Sequence, residues 1–311
     1  MKILYVSDGY NYAVHGTKRA LREEIENRGF EVVYFDVNEL SQNRLLSVAQ
    51  REGCDHIWIV HTFVTTLGNS LFEFNRAGIY VHGFGMSDPT EWDEKKLQNF
   101  NSYSTNSYEV FSRYSGVLPT HYWPTACETK FHRPLRQKKQ VDLLFYGTGQ
   151  HPAHQPPDYR NQMVRKLKVL LPEVSMNVHG INWDADIGAK PELSGDDLIE
   201  AICKSRVGID LSLQGAPVPR RIFEMAACET PVVAGLTTEL CQLLSPGREI
   251  ITYRRIEDLA ETIMWLLSNE RLRQDIAEEQ CRVVRTLHNI TNRVDSLLKF
   301  LTHYCPNLKL S

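Results

Sequence analysis

Two adjacent arginines, Arg220 and Arg221, stand in the stretch 214–235 (QGAPVPRRIFEMAACETPVVAG), where a Gly/Pro loop follows an apolar run and Pro219 is placed to open a helix. Positive charge at a helix N-terminus opposes the macrodipole, at about 0.3–1 kcal/mol each unless an anion lies between. Two such placements in a row fit either a bound anion such as a diphosphate or pairing of both arginines with surface carboxylates. Glu224 follows three residues after Arg221 on the same helical face. Its carboxylate can accept two hydrogen bonds from a diol such as a ribose, or stand exposed on the helix. Gly147-Thr148-Gly149 follows the apolar run VDLLFY. It is open to two readings, a backbone that lets a phosphate approach closely and a plain βα turn. Pro152 stands where the last glycine of G-x-G-x-x-G belongs.

Other side chains have weaker patterns. His82 and Asp88 end and follow the fourth apolar run, where either could take a proton from a hydroxyl or orient a sugar; a satisfied core histidine is the alternative for His82. Tyr10, Tyr12, His15 and Gly16 follow the first run and either contact a ligand or decorate a turn. His151 and His154 lack a third and fourth ligand, so no metal site is expected. The seven cysteines form no C-x-x-C pair and no disulfide framework. Reduced thiols in the cytoplasm fit best, and the opening Met-Lys with its short strand does not read as a signal peptide. Net charge is -3, from 35 Lys+Arg against 38 Asp+Glu. That balance argues against a large electrostatic nucleic-acid surface.

These residues must be held by strands and helices, and the spacing supplies them. Apolar runs at 2–7 (KILYVS), 31–37, 56–60 (HIWIV) and 79–82 alternate with helical periodicity, such as Ala20, Leu21 and Ile25 before Gly29. The alternation resumes at 141–146, with strands at 174–179, 207–213, 231–234 and 250–253, helices between them, and a long helical tail from about Glu270. Between Thr129 and Val141 five basic residues fall among eleven with no acid, read as an exposed linker. At 311 residues the chain suits two domains. The expected class is α/β, with two Rossmann-like domains in tandem and doubly wound parallel sheets.

The segment Arg221-Ile222-Phe223-Glu224-Met225-Ala226-Ala227-Cys228-Glu229-Thr230-Pro231-Val232-Val233 resembles the R-x-F-E-A-x-A-x-G-x-P-V-V pattern of nucleotide-sugar glycosyltransferases with the two-Rossmann GT-B fold. The likeness continues through Leu240, 246–250 (PGREI), Tyr253 and Asp258-Leu259, and is greatest with the group-1-type branch that includes spore-maturation CgeB-like proteins. Those proteins also open on K-I-L-Y-V, carry an acidic-Pro step like Asp88-Pro89, and join their domains through a W-L-P-x-A-x-D-x-x-x-F-x-P motif that 123–134 matches in degraded form.

The resemblance implies an N-terminal acceptor domain over 1–135 and a C-terminal donor domain over 136–311, with a cleft between them. The terminal helix would pack back on the first domain, covering Leu297, Leu298, Phe300 and Leu301. It implies a sugar passed from a nucleoside-diphosphate sugar, UDP-sugar favoured, to an acceptor hydroxyl, without cofactor or obligatory metal and with retention of configuration. Glu224 would hold the donor ribose, Arg221 with Arg220 the diphosphate, Gly147 and Thr148 the phosphate or sugar; Arg160 matches an arginine seen after that turn in relatives. A glycan, a protein, a small molecule and a modified nucleic-acid base all remain open as acceptor, and oligomeric state is open. Two positions depart from the pattern. Many retaining members have a glutamate eight residues before the second one, where this chain has Ala216, and the glycine expected after the helix is Glu229. The alternative is a non-catalytic nucleotide-binding or scaffolding protein.

Overall fold

The computed structural model describes residues 1–7, 16–36, 42–60, 71–85, 97, 99–150, 158–212 and 216–305. The chain divides into two compact units, Met1–Thr125 with Ile290–Ser311, and Ala126–Asn289.

In the first unit, strand β1 (Lys2–Ser7) sends Ile3 and Tyr5 into one apolar cluster and Leu4 and Val6 into another, as alternate side chains of a doubly covered strand must. It lies between β2 (Glu31–Asp36) and β3 (His56–Val60); β4 (Tyr80–Gly85), β5 (Ser102–Thr105) and β6 (Thr120–Tyr122) extend the sheet in the order β2-β1-β3-β4-β5-β6, every pairing parallel. Helices α1 (Thr17–Glu26), α2 (Gln42–Arg51), α3 (Leu71–Arg76) and α4 (Tyr108–Tyr114) alternate with the strands. Ala20, Leu21 and Ile25 form the buried face of α1, as their spacing requires.

The second unit runs β7 (Val141–Tyr146), α5 (Tyr159–Leu170), β8 (Met176–His179), α6 (Gly195–Cys203), β9 (Ser205–Asp210), α7 (Arg220–Ala227), β10 (Val232–Gly235), α8 (Thr238–Leu243), β11 (Ile251–Tyr253), α9 (Ile256–Ser268) and α10 (Glu270–Leu287). Its sheet is again wholly parallel, in the order β11-β10-β9-β7-β8. Leu144 faces a cluster with α6, α7 and α10, and Leu143 and Phe145 face one with α5 and α9. The segment read as a linker lies in this unit, where Arg285 of α10 donates to the carbonyls of Thr129 (3.2 Å) and His132 (2.5 Å). The last helix, α11 (Ile290–Tyr304), is part of the first unit. Its Val294, Leu297, Leu298 and Leu301 are buried with Ile3, Tyr5 and Trp58. Each such side chain is worth roughly 1.5–3 kcal/mol when fully covered. No helix among the described residues is long and apolar enough to cross a membrane.

Strands β5 and β6 are additions to the sequence-based expectation. Their residues, SYST and THY, are polar by composition, yet Ser102, Ser104 and Thr105 are buried. β4 also runs on through Gly83-Phe84-Gly85, where the sequence reading ended it at His82. Gly83 marks a close approach here, since a Cβ would stand 2.6 Å from a carbon of the Phe100 ring.

Candidate functional site

In a doubly wound sheet the crevice for a ligand opens where neighbouring strands send their chains to opposite sides, beyond their carboxyl ends. In the second unit that point lies between β7 and β9, because the chain steps outward to β8 and then returns to β9 on the other side of β7. β7 ends at Tyr146, and β9 ends at Asp210, which is 1% exposed.

Arg221, in the first turn of α7 behind the N-cap Pro219, donates from Nε to Asp210 Oδ1 at 2.9 Å. Its guanidinium carbon lies 5.0 Å from the centre of the Phe145 ring. Arg160, at the start of α5, lies 5.7 Å from the same ring and donates from Nη1 to the Thr148 carbonyl at 2.6 Å. Arg160 is 8% exposed, its Nε has no hydrogen-bond partner, and among the described residues it has no carboxylate within ion-pair distance. Burial, and then the charge of Arg221, bring its pKa down to about 10. Two guanidiniums thus share one ring while Arg221 alone is ion-paired, an arrangement that an anion would complete.

The glycine turn is explained first by packing. Gly147 has φ 144°, and its carbonyl accepts from Trp183 Nε1 at 2.9 Å. A Cβ on Gly149 would stand 2.5 Å from the Asn182 carbonyl oxygen. The turn therefore lies against the chain 180–183, while a Cβ on Gly147 would stand 3.0 Å from Arg221 Nη1.

Of the two sequence-based alternatives for Glu224, the exposed one is corrected. The residue is not on open helix surface; it is 1% exposed and paired with Arg220. Oε2 accepts from the Tyr146 hydroxyl at 2.7 Å. Oε1 lies 2.5 Å from Arg220 Nε and 3.3 Å from His132 Nε2. Burial pushes the carboxyl up, but the Arg220 charge, His132 and the Tyr146 hydroxyl outweigh it and bring the pKa down to about 2. The surface pairing considered for the two arginines is corrected in the same way: their carboxylates, Asp210 and Glu224, are buried. Helix α7 is therefore anchored at its charged end by internal ion pairs, which hold Arg221 near the glycine turn.

The other candidates fall elsewhere. His82 is fully buried in the middle of β4, with Nδ1 2.7 Å from Ser102 Oγ and Nε2 3.0 Å from Ser104 Oγ. Burial, with the charges of His121 and His56, holds its pKa well below the usual range. Both ring nitrogens are occupied and neither meets solvent, so the expectation of a base at His82 is corrected to that of a core histidine. Asp88, Tyr10, Tyr12, His15, His151 and His154 lie outside the described residues. Among the described residues no group of three or more His, Cys, Asp or Glu is placed to hold a metal ion.

Sequence reasoning passed over Asp210, Phe145, Tyr146 and His132. A signal was present for the first, an acid ending a buried strand eleven residues before an arginine at a helix start. His132 was absorbed into the basic run.

Glu229, after α7, takes φ 58°, the left-handed conformation for which the resemblance supplies glycine. An L side chain costs roughly 1–2 kcal/mol there. Glu229→Gly should raise the unfolding free energy by about 1 kcal/mol, read as a higher urea midpoint, since extra freedom of the unfolded chain offsets part of the gain. A lowered midpoint would show that the glutamate side chain stabilises the turn by more than its backbone costs.

Residues 155–299 match the model of a family described as glycosyl transferase-like. No curated protein sequence matches the chain. Among solved structures, sucrose-phosphate synthase from Thermosynechococcus elongatus superposes with a TM-score of 0.72 at 13% identity, over 97% of this chain and 98% of that one. HepE of Anabaena, solved with UDP and glucose, gives 0.70 at 14% identity, over 97% and 100%. The β-glucosyltransferase of phage T4, solved with its UDP-glucose substrate, gives 0.64 at 11% identity, over 98% and 100%. The two parallel-sheet units have the GT-B fold. Residues 155–299 add to that fold a likeness to the glycosyl transferase-like family.

Proposed function

We propose that the protein moves a sugar from a UDP-sugar to an acceptor hydroxyl, with the second unit holding the donor and the first the acceptor. The observation that carries this reading is Arg160, a buried guanidinium without a carboxylate partner among the described residues, set beside Arg221 at the switch point. A diphosphate there neutralises both cations. As the sugar leaves, charge grows on the diphosphate oxygens, and guanidiniums fixed in place stabilise that charge without reorganising. The same cations support a reaction that needs no metal ion. UDP is favoured because HepE and the phage enzyme were solved with UDP or UDP-glucose.

Retention of configuration is the outcome that the group-1 and CgeB-like resemblance implies, and Asp88 is the remaining sequence candidate for the base. A cytoplasmic setting fits the seven free cysteines. The acceptor classes named above all stay open. Ala216, where a sugar-contacting carboxylate is otherwise expected, favours a second reading, a binder without turnover.

Release of UDP from a panel of sugar nucleotides, in buffer with a chelator, separates the two. Slow hydrolysis of one donor supports a transferase; specific thermal stabilisation with no release supports the binder. Glu224 is assigned to the ribose, whose hydroxyls would replace a present partner of the carboxylate. Glu224→Gln should weaken UDP about tenfold, or 1.4 kcal/mol, and 2′-deoxy-UDP should lose affinity on the wild type but much less on the variant. An unchanged deoxy penalty in Glu224→Gln would remove the carboxylate from ribose recognition.

A further inference from the structure

The two arginines that open α7 are held differently. Arg221 is 11% exposed at its side chain and is fixed between Asp210 and the Phe145 ring. The Arg220 side chain is 36% exposed and lies over a carboxylate that is itself 2% exposed. The three neighbours of that carboxylate also differ in what they can do. Tyr146 holds Oε2 from the end of β7, and His132 is buried against Oε1. Of the two groups on Oε1, Arg220 is the more exposed, 36% against 3% for His132, and its flexible stem can carry the guanidinium away.

We propose that Arg220 is a gate, closing Glu224 to a ribose until a diphosphate draws the guanidinium off. The proposal rests on the donor reading and adds an order to it. A buried carboxylate without its cation is costly, so in the empty site Arg220 stays on Oε1. Ribose hydroxyls are neutral and cannot replace that charge, so a nucleoside alone displaces Arg220 poorly. A diphosphate held by Arg160 and Arg221 brings its negative charge to the start of α7, where Arg220 also stands. Arg220 then exchanges one anion for another, and Oε1, buried and without a hydrogen-bond partner while the guanidinium covers it, is opened to a ribose hydroxyl. Phosphate and ribose recognition are thereby coupled, with each favouring the other. A free nucleoside is rejected although every group that would read its ribose is in place.

The test compares uridine, 2′-deoxyuridine, UDP and 2′-deoxy-UDP on the whole chain, by calorimetry for the diphosphates and ligand-observed NMR for the nucleosides. In the wild type the 2′-deoxy penalty should appear with UDP and be absent with uridine. In Arg220→Ala uridine should bind about tenfold more tightly, the size of one charge-assisted hydrogen bond recovered, and the penalty should now appear with the nucleoside. Arg220→Gln keeps an amide over the carboxylate and drops the charge. It should show the same change at smaller size, and it carries the comparison if Arg220→Ala does not fold. The gate is overturned if either folded variant leaves uridine affinity unchanged or lower. It is also overturned if wild-type uridine already shows the full deoxy penalty. Failure of UDP to bind the wild type, or UDP binding without any deoxy penalty, refutes the donor reading itself and the gate with it.

Discussion

Arg221→Ala is expected to weaken UDP by about 1.5–3 kcal/mol, the loss of a charge-assisted bond, and to change uridine binding little. The same substitution should cost the folded protein more than most. Asp210 is 1% exposed, and among the described residues its carboxylate accepts, besides Arg221, only from the Ser212 amide at 3.1 Å and hydroxyl at 3.2 Å. Removing one partner of a buried pair typically destabilises by about 3–5 kcal/mol. Arg160 beside it, still cationic, should moderate the loss. The double variant Arg221→Ala with Asp210→Asn separates the effects, restoring stability in urea denaturation without restoring UDP affinity. Equal weakening of UDP and uridine by Arg221→Ala would show that this guanidinium does not read phosphate.

The second large effect is on acid stability. Burial brings His56 and His121 down to about 4, the Arg293 charge adding to the shift at His121, and holds His82 lower than its usual range. An unfolded histidine titrates near 6.5. Between these values the unfolded chain takes up protons that the folded first unit refuses. The stabilisation is complete above about pH 6.5 and is lost as pH falls toward 4. For His56 and His121 the loss between pH 7 and 5 is roughly 2 kcal/mol each; His82 adds in the same direction, as does His179 of the second unit. Calorimetric melting at pH 7 and 5 measures it, and a melting temperature that does not fall by pH 5 would contradict the burial of these rings.

Much of this fold was readable because strands covered on both faces must be apolar throughout. KILYVS, HIWIV and VDLLFY need no alternation to be recognised. β5 and β6 escaped because their buried positions are filled by hydroxyls, which His82 and its neighbours satisfy. No pattern in SYST announces that a histidine twenty residues earlier will bond to it. The site divides in the same way. Arg220, Arg221 and Glu224 were legible from their places on one short helix. What each touches was not, since the ion partners follow from how β9 and the 126–140 segment meet that helix. Periodicity places α7 and offers Glu224 to Arg220 at i,i+4, but does not say that Arg221 finds Asp210.

The passage of α11 into the first unit has a consequence for how the protein is made. A ribosome delivers β1 to β6 early, with Ala20, Leu21 and Ile25 of α1 to cover part of Ile3, Tyr5 and Trp58, but the rest of that cluster comes from Ile290 onward, after every strand of the second unit. The first unit is thus begun first and finished last. While the second unit is being synthesised, the part of one apolar sheet face that α11 will cover stays open to association with other chains. Chains stopped before Ile290 should contain an intact second sheet and still be the aggregating species, and a chaperone that shields apolar surface has its longest task on the part of the protein that emerged first.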